Sequence, residues 1–158
     1  MIVMRVGSVM TKNVVTASPN DTLESVIEKF SKYHISGMPV VDSRKKVVGV
    51  VTESDVIKAI DAFNPKVNFD NDTSFALILA FLKHKKEIGI IKSEILGSEK
   101  AKVKSFMTKE VVSIGPEADM IEAARLMARR NVKRLVVLKN GRLAGIVARA
   151  DIVRALGA

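Results

Sequence analysis

Gly49-Val50-Val51-Thr52-Glu53-Ser54-Asp55 is the stretch that indicates how this chain folds. The apolar run that opens at Val47 predicts a strand, and the apolar pattern over 56–60 predicts a helix directly after it. Backbone N–H groups at a helix start lack partners and favour anions. The paired oxygens of Asp55 suit two neighbouring ribose hydroxyls, although an Asp at this place also serves as a helix cap.

The same pattern returns near the end of the chain as Gly145-Ile146-Val147-Ala148-Arg149-Ala150-Asp151, again before a short apolar helix. Further upstream, residues 6–16 match residues 103–113, and Pro19 and Pro116 keep the same spacing. The chain therefore contains two copies of one unit. The recurrence of the acidic position favours a shared ligand-binding role over two unrelated helix caps.

Each copy predicts a strand, a helix, two further strands and a second helix. Asp21 and Asp119 are the expected starts of the first helix in each copy. The Asn140-Gly141 pair is typical of a type I′ hairpin turn between two strands. Neither copy can bury both faces of its sheet, so we expect an α/β (α+β) fold in which two β-α-β-β-α repeats pack through their sheets about a pseudo-twofold axis. The expected domains are repeat 1 over 1–60, a connector over 61–102 and repeat 2 over 103–158.

The connector over 61–102 has no counterpart elsewhere in the chain. Its segment 75–84 is an almost continuous apolar helix candidate, and a helix that is apolar all round must be covered. Connectors of this length in compact proteins are usually functional or bind a partner. We therefore expect a homodimer in which this segment lies at or beside the contact, with a partner protein as the second choice.

Composition narrows the functional classes. The 158 residues include no cysteine, which excludes disulfides and thiolate metal sites and favours a cytoplasmic location. No apolar run is long enough to span a bilayer. The formal net charge of +9 favours anionic partners, whether a nucleotide, a nucleic acid or an acidic protein. Motifs of P-loop NTPases, zinc proteases and serine hydrolases are absent and the two histidines are not clustered, so we expect neither an enzyme nor a metal site.

The repeated Met-Thr-Lys segments, Ser36-Gly37-Met38-Pro39-Val40-Val41-Asp42 and the stretch 49–55 together resemble a CBS domain, a regulatory module named after cystathionine β-synthase. Two copies resemble the usual CBS pair. The resemblance implies paired sheets and two clefts that often hold AMP, ADP, ATP or S-adenosylmethionine, with no required cofactor. It also implies a tendency to form disc-shaped dimers that sense energy state or a metabolite.

Carried onto this sequence, the resemblance implies a first cleft rich in hydroxyl groups. Asp55 would hold the ribose there, with Thr52 and Ser54 near ribose or phosphate. The other residues implied for this cleft are Ser36 and Gly37 as lining and Val111, Val112 and Val132 around the adenine.

The second implied cleft is richer in positive charge. Asp151 would hold the ribose, but alanines replace both hydroxyl residues, and Lys133 and Arg134 stand where repeat 1 has Ser36 and Gly37. These two cations suit a phosphate, and Arg149 in the first helical turn is a further candidate, although basic residues are usually only solvated surface groups. The base would be walled by Val14, Val15, Ile35 and Ser36.

We therefore expect a regulatory module that binds an adenosine nucleotide or a related adenosyl metabolite and transmits binding to a partner by favouring one arrangement of the chain. Two alternatives stay open. One is a basic nucleic-acid-associated protein, whose binding would fall steeply with added salt. The other is a scaffold that docks a partner through the 61–102 connector.

Overall fold

The computed structural model describes residues 3–63 and 101–158. The described helices are α1 (Val6–Val9), α2 (Leu23–Tyr33), α3 (Glu53–Phe63), α4 (Val103–Phe106), α5 (Met120–Arg130) and α6 (Arg149–Leu156). The described strands are β1 (Gly37–Val41), β2 (Val47–Thr52), β3 (Ser113–Ile114), β4 (Arg134–Lys139) and β5 (Arg142–Ala148). The connector helix predicted at 75–84, and its predicted place in a dimer, lie outside the described residues. Among the helices described, none combines the length and the hydropathy that a membrane crossing requires.

The predicted α+β architecture is confirmed, since each repeat contains a helix, two strands and a second helix in the expected order. β1 and β2 form a two-stranded sheet. In repeat 2, β3 runs parallel to β4 and β4 runs antiparallel to β5. At the turn between β4 and β5, Asn140 and Gly141 have φ angles of 54° and 78°, which confirms the predicted type I′ hairpin.

The opening strand of repeat 1 is shorter than predicted, because it is reduced to one parallel bridge between Ala17 and Val40. In repeat 2 the N–H of Val136 donates to the carbonyl oxygen of Val112 at 3.1 Å. Pro39 occupies the place of Val136 in repeat 1 and has no N–H to donate. One missing donor therefore shortens the ladder on that side.

The start of α2 differs from the prediction by one residue. Thr22 caps this helix, because its Oγ1 accepts a hydrogen bond from the N–H of Ser25 at 3.1 Å. Asp21, the predicted cap, accepts from the N–H of Ser18 instead. In repeat 2 the predicted cap is correct, since Asp119 accepts from the N–H of Ile121 at 2.8 Å. Thr22 and Asp119 occupy the same place in their repeats, so a hydroxyl and a carboxylate perform one capping role.

The described residues fold into two compact units that do not coincide with the two sequence repeats. One unit takes its residues from Met1–Val14, Val41–Val48 and Glu110–Ala158 and is here named unit A. The other takes them from Val15–Val40 and Gly49–Lys109 and is named unit B. The opening segment of each repeat thus folds with the helices of the other repeat. The pseudo-twofold packing and the domain limits drawn from the sequence stay predictions.

Unit A is built on β3, β4 and β5, against which the opening segment of repeat 1 is hydrogen-bonded. Thr11 and Ile146 exchange two backbone hydrogen bonds, of 2.8 and 3.0 Å, and the N–H of Val6 donates to the carbonyl oxygen of Ala118. These bonds hold α1 beside helices of the second repeat. The buried apolar core of the unit consists of Val6, Ile114, Met120, Ala123, Met127, Leu135, Val137, Val147 and Ile152.

Unit B repeats this arrangement with the roles of the repeats exchanged. Thr108 and Val50 exchange two backbone hydrogen bonds of 2.9 Å each, so the segment after α4 lies along β2. The N–H of Val103 donates to the carbonyl oxygen of Asp21, which ties α4 to the turn before α2. Its buried apolar residues include Leu23, Val26, Ile27, Phe30, Met38, Val40, Val51, Val56, Ala59, Ile60 and Val103.

Candidate functional site

The predicted residues of the first cleft that belong to unit B meet at the turn from β2 to α3. The N–H of Glu53, the first residue of α3, donates to the carbonyl oxygen of Ser36 at 3.0 Å. This bond holds Ser36 and the buried Gly37 beside the helix start. Ser54, in the first turn of α3, is exposed. The turn therefore carries an accessible hydroxyl group next to the carboxylate of Asp55.

Asp55 is the most enclosed polar residue of this turn, with 8% of its surface exposed. Its Oδ2 accepts hydrogen bonds from the N–H of Thr52 at 3.0 Å and from the Thr52 hydroxyl at 3.1 Å. The Thr52 hydroxyl also accepts from the N–H of Asp55 at 3.3 Å, so the two residues form a reciprocal capping pair. The carboxylate is held in one orientation at the N-terminus of α3.

A third donor reaches Asp55 from a distant part of the chain. The hydroxyl of Thr108 donates to Oδ1 of Asp55 at 2.9 Å across 53 positions of sequence. Sequence reasoning did not assign Thr108 to the site. The signal that pointed to it was the repeated Met-Thr-Lys segment, in which Thr11 and Thr108 occupy the same place.

The equivalent turn of repeat 2, from β5 to α6, has the same backbone design with fewer side-chain bonds. The N–H of Arg149 donates to the carbonyl oxygen of Lys133 at 3.1 Å, as Glu53 does to Ser36. The N–H of Ala148 donates to Oδ2 of Asp151 at 2.8 Å. Because Ala148 has no hydroxyl, only half of the capping pair forms. Oδ1 of Asp151 lies 3.7 Å from Nη1 of Arg154, and 15% of the Asp151 side chain is exposed.

A groove of about 430 Å³ lies in unit A between α5 and α6. It brings together three predicted site residues, Val132, Lys133 and Arg149. The resemblance places Val132 in the first cleft, but within its unit it lies in the same groove as two cations predicted for the second. Asp151 and Arg134 are not among the residues that line it. The lining residues that sequence reasoning did not assign to a site are Ala124, Met127, Ala128, Asn131, Ile152 and Val153.

The groove has an apolar wall and a basic edge. Its α5 residues are the apolar Ala124, Met127 and Ala128, while Lys133 and Arg149 at its edge are both exposed. Asn131, with a φ of 52°, ends α5 in a left-handed conformation and redirects the chain toward β4. An apolar surface beside two cations suits a ligand that has both an aromatic or aliphatic part and a negative charge.

The remaining predicted site residues are half-buried and are divided between the units. Unit A contains Val14, Val111, Val112 and Arg134, and unit B contains Val15 and Ile35. That residues of both sets line a common cleft stays a prediction. Among the described residues no group of three side chains is arranged to hold a metal ion.

Comparison with known proteins gives consistent matches over both repeats. A family model described as the CBS domain matches residues 6–62 and 103–158. The "Uncharacterized protein MJ1426" of Methanocaldococcus jannaschii is 36% identical over 155 residues, which are 98% of this chain and 92% of that protein. The inosine-5'-monophosphate dehydrogenase of the same organism is 31% identical over 153 residues, which are 96% of this chain but 23% of the dehydrogenase. The chain thus spans less than a quarter of that enzyme.

One solved structure is similar to this chain over nearly its whole length. The crystal structure of CBSX2 in complex with AMP is 26% identical in sequence, and its similarity covers 96% of this chain and 95% of that one. The TM-score of the pair is 0.69. The likeness therefore extends over both repeats.

Proposed function

The chain belongs to the CBS-domain family, and from that premise we propose that it is a non-enzymatic regulatory module for an adenosine nucleotide or a related adenosyl metabolite. The observation that carries the proposal is the pair of equivalent aspartates at two helix starts. Asp55 and Asp151 each accept a hydrogen bond from the backbone N–H of the residue three places before. A carboxylate held this way is pre-oriented, which lowers the entropic cost of binding two adjacent hydroxyls.

AMP is the first ligand to test, because CBSX2, which is 26% identical to this chain, is described in complex with AMP. ADP, ATP and S-adenosylmethionine share its adenosine part and stay in the proposal. The ribose diol would bind an aspartate, and the apolar valines that the sequence predicted would contact the adenine.

The phosphate would be bound by cations of repeat 2. Lys133 and Arg149 lie at one groove of unit A, and the main-chain bond between them keeps their backbones adjacent. Charge-assisted bonds from Lys or Arg to phosphate are about twice as strong as neutral hydrogen bonds. We infer that repeat 2 selects nucleotides over uncharged nucleosides.

The opening segment of repeat 2, which folds with repeat 1, would transmit ligand binding to the rest of the chain. Thr108 is bonded to Val50 through its backbone and to Asp55 through its hydroxyl, so a ligand at Asp55 would act directly on the segment 101–109. A ligand that binds one arrangement of this segment more tightly shifts the population toward that arrangement. The regulated partner, self-association through the connector and a cytoplasmic location stay predictions from the sequence. So does the scaffold alternative, while the nucleic-acid alternative depends on the net charge alone.

A thermal-shift panel with AMP, ADP, ATP, NAD and S-adenosylmethionine, and GTP as the control, tests this proposal. A ligand at one hundred times its Kd adds about 2.7 kcal/mol to the free energy of unfolding, which raises the Tm by several degrees. The proposal predicts such a shift for at least one adenosyl compound and a smaller one for GTP. No shift with any adenosyl compound, in buffer and in mild denaturant, would contradict it.

A further inference from the structure

The two candidate ribose carboxylates differ in how many of their acceptor positions are already used. An ionised carboxylate has two oxygens and about four positions that can accept a hydrogen bond. From the described part of the chain Asp55 accepts three bonds, two from Thr52 and one from Thr108, which leaves about one position. A ribose diol that donates two hydrogen bonds needs two. Asp55 cannot bind both hydroxyls without losing a present donor.

Asp151 has more free capacity. Among donors in residues 3–63 and 101–158, one gives it a direct hydrogen bond, the N–H of Ala148 at 2.8 Å. Its contact with Arg154, at 3.7 Å, is an ion pair that is too long for a hydrogen bond. Within the described parts of the chain, no hydrogen bond joins the Thr11 hydroxyl to Asp151, although Thr11 pairs with Ile146 as Thr108 pairs with Val50. Asp151 can therefore accept both hydroxyls of a diol with its present bonds intact.

Of the three donors on Asp55, the hydroxyl of Thr108 is the one a ligand can displace most easily. The N–H of Thr52 is fixed by the backbone at the end of β2, and the Thr52 hydroxyl is held by a second bond to the N–H of Asp55. Thr108 is exposed to solvent, so its hydroxyl can rotate away and bond to water. The backbone of Thr108 stays aligned with β2 through its two bonds to Val50, which returns the hydroxyl to Asp55 when the ligand leaves.

We propose that Thr108 is a positioning residue that occupies Asp55 and makes the two sites unequal, with Asp151 the higher-affinity diol site and Asp55 a weaker site that binds only when the Thr108 hydroxyl is displaced. This inference rests on the proposed function. It means that low ligand concentrations fill repeat 2 first. At higher concentrations the ligand competes with Thr108 at Asp55 and releases the side-chain tie to the segment 101–109.

The test is isothermal titration calorimetry of the full chain with AMP as the probe. Wild type should show a tighter and a weaker binding step. The tighter step should be absent in Asp151→Asn and present in Asp55→Asn. In the Asp151→Asn background, Thr108→Val should raise the remaining affinity about two- to tenfold, because the competing hydrogen bond is worth that much net. Thr108→Ser keeps the hydroxyl and should leave the affinity of the Asp151→Asn background unchanged. Thr11→Val, at the equivalent place in repeat 1, is the matched control and should leave the affinity unchanged.

A purely structural role for Thr108 would lower the Tm of Thr108→Val without raising its affinity, and this result would overturn the inference. Loss of the tighter step in Asp55→Asn but not in Asp151→Asn would do the same while leaving the proposed function intact. If wild type bound no adenosyl compound, the proposed function would fail and this inference with it. Thr108→Ala serves the same purpose if Thr108→Val does not fold.

Discussion

The backbone carbonyl oxygen of Thr108 lies 2.9 Å from the point that a Cβ atom on Gly49 would occupy. The sulfur of Met107 is 2.7 Å from the same point. Repeat 2 shows the same relationship between Gly145 and Thr11, where the corresponding oxygen distance is 2.8 Å. Each glycine therefore lets an opening segment from the other repeat approach the strand that leads to the candidate site.

Replacement of Gly49 by alanine should destabilise the protein by about 1–3 kcal/mol, because the added methyl group meets a backbone oxygen that cannot move cheaply. Gly145→Ala should have a similar effect for the same reason. Gly115→Ala is the matched control, since no heavy atom lies within 4 Å of the position that its Cβ would take. Denaturant unfolding measures the three changes. If Gly49→Ala and Gly115→Ala had equal free energies of unfolding, the close approach at Gly49 would not limit the residue to glycine.

Asp55→Ala should cost more stability than Asp151→Ala. The first change removes a buried acceptor of three hydrogen bonds and should cost about 2–3 kcal/mol, while the second removes one helix-cap bond worth about 1 kcal/mol. Urea unfolding without ligand measures the difference. A larger loss of unfolding free energy in Asp151→Ala than in Asp55→Ala would mean that the number of hydrogen bonds does not determine the stability of the two turns.

The cations of repeat 2 should discriminate a phosphate from a hydroxyl. Lys133→Ala and Arg149→Ala should each weaken AMP much more than adenosine, since a charge-assisted contact contributes about 1.5–3 kcal/mol. Lys139→Ala, at an exposed position of the same unit, is the control and should change neither affinity. Equal losses for AMP and adenosine would show that these residues shape the turn or the base pocket instead of binding phosphate.

Self-association is a prediction from the sequence of the connector. Leu79→Lys combined with Leu82→Lys should shift the mass measured by light scattering toward that of a monomer, because a charged residue in an apolar contact loses its hydration. Wild type should be a dimer at tens of micromolar. If wild type is already a monomer at that concentration, the predicted dimer is wrong.

Local patterns in the sequence predicted what local chemistry determines. The Asn140-Gly141 turn, the cap at Asp119 and the two acidic helix starts depend on neighbouring residues, and all are present in the structure. The shortened ladder of repeat 1 is also a local effect, because Pro39 has no N–H to donate.

Apart from the cap of α2, which is Thr22 and not the predicted Asp21, and the short ladder at Pro39, the features that the sequence did not predict depend on contacts between distant segments. The hydroxyl of Thr108 donates to Asp55 across 53 positions, and a contact over that distance cannot be predicted from local periodicity. The opening segment of each repeat folds with the other repeat, and this too depends on tertiary pairing, such as that of Thr11 with Ile146. The repeated Met-Thr-Lys segment indicated that these residues matter without indicating what they contact.

Calorimetric titration of AMP into wild type and into the double variant Asp55→Asn/Asp151→Asn shows whether the two aspartates bind the ligand. Asn keeps a capping oxygen but loses the charge and one acceptor, so the variant should fold while its ribose sites fail. We expect saturable binding to wild type and a loss of affinity of at least about tenfold in the folded double variant, because charge-assisted hydrogen bonds are lost. Saturable binding of equal affinity in both proteins, or no binding to wild type, would contradict it.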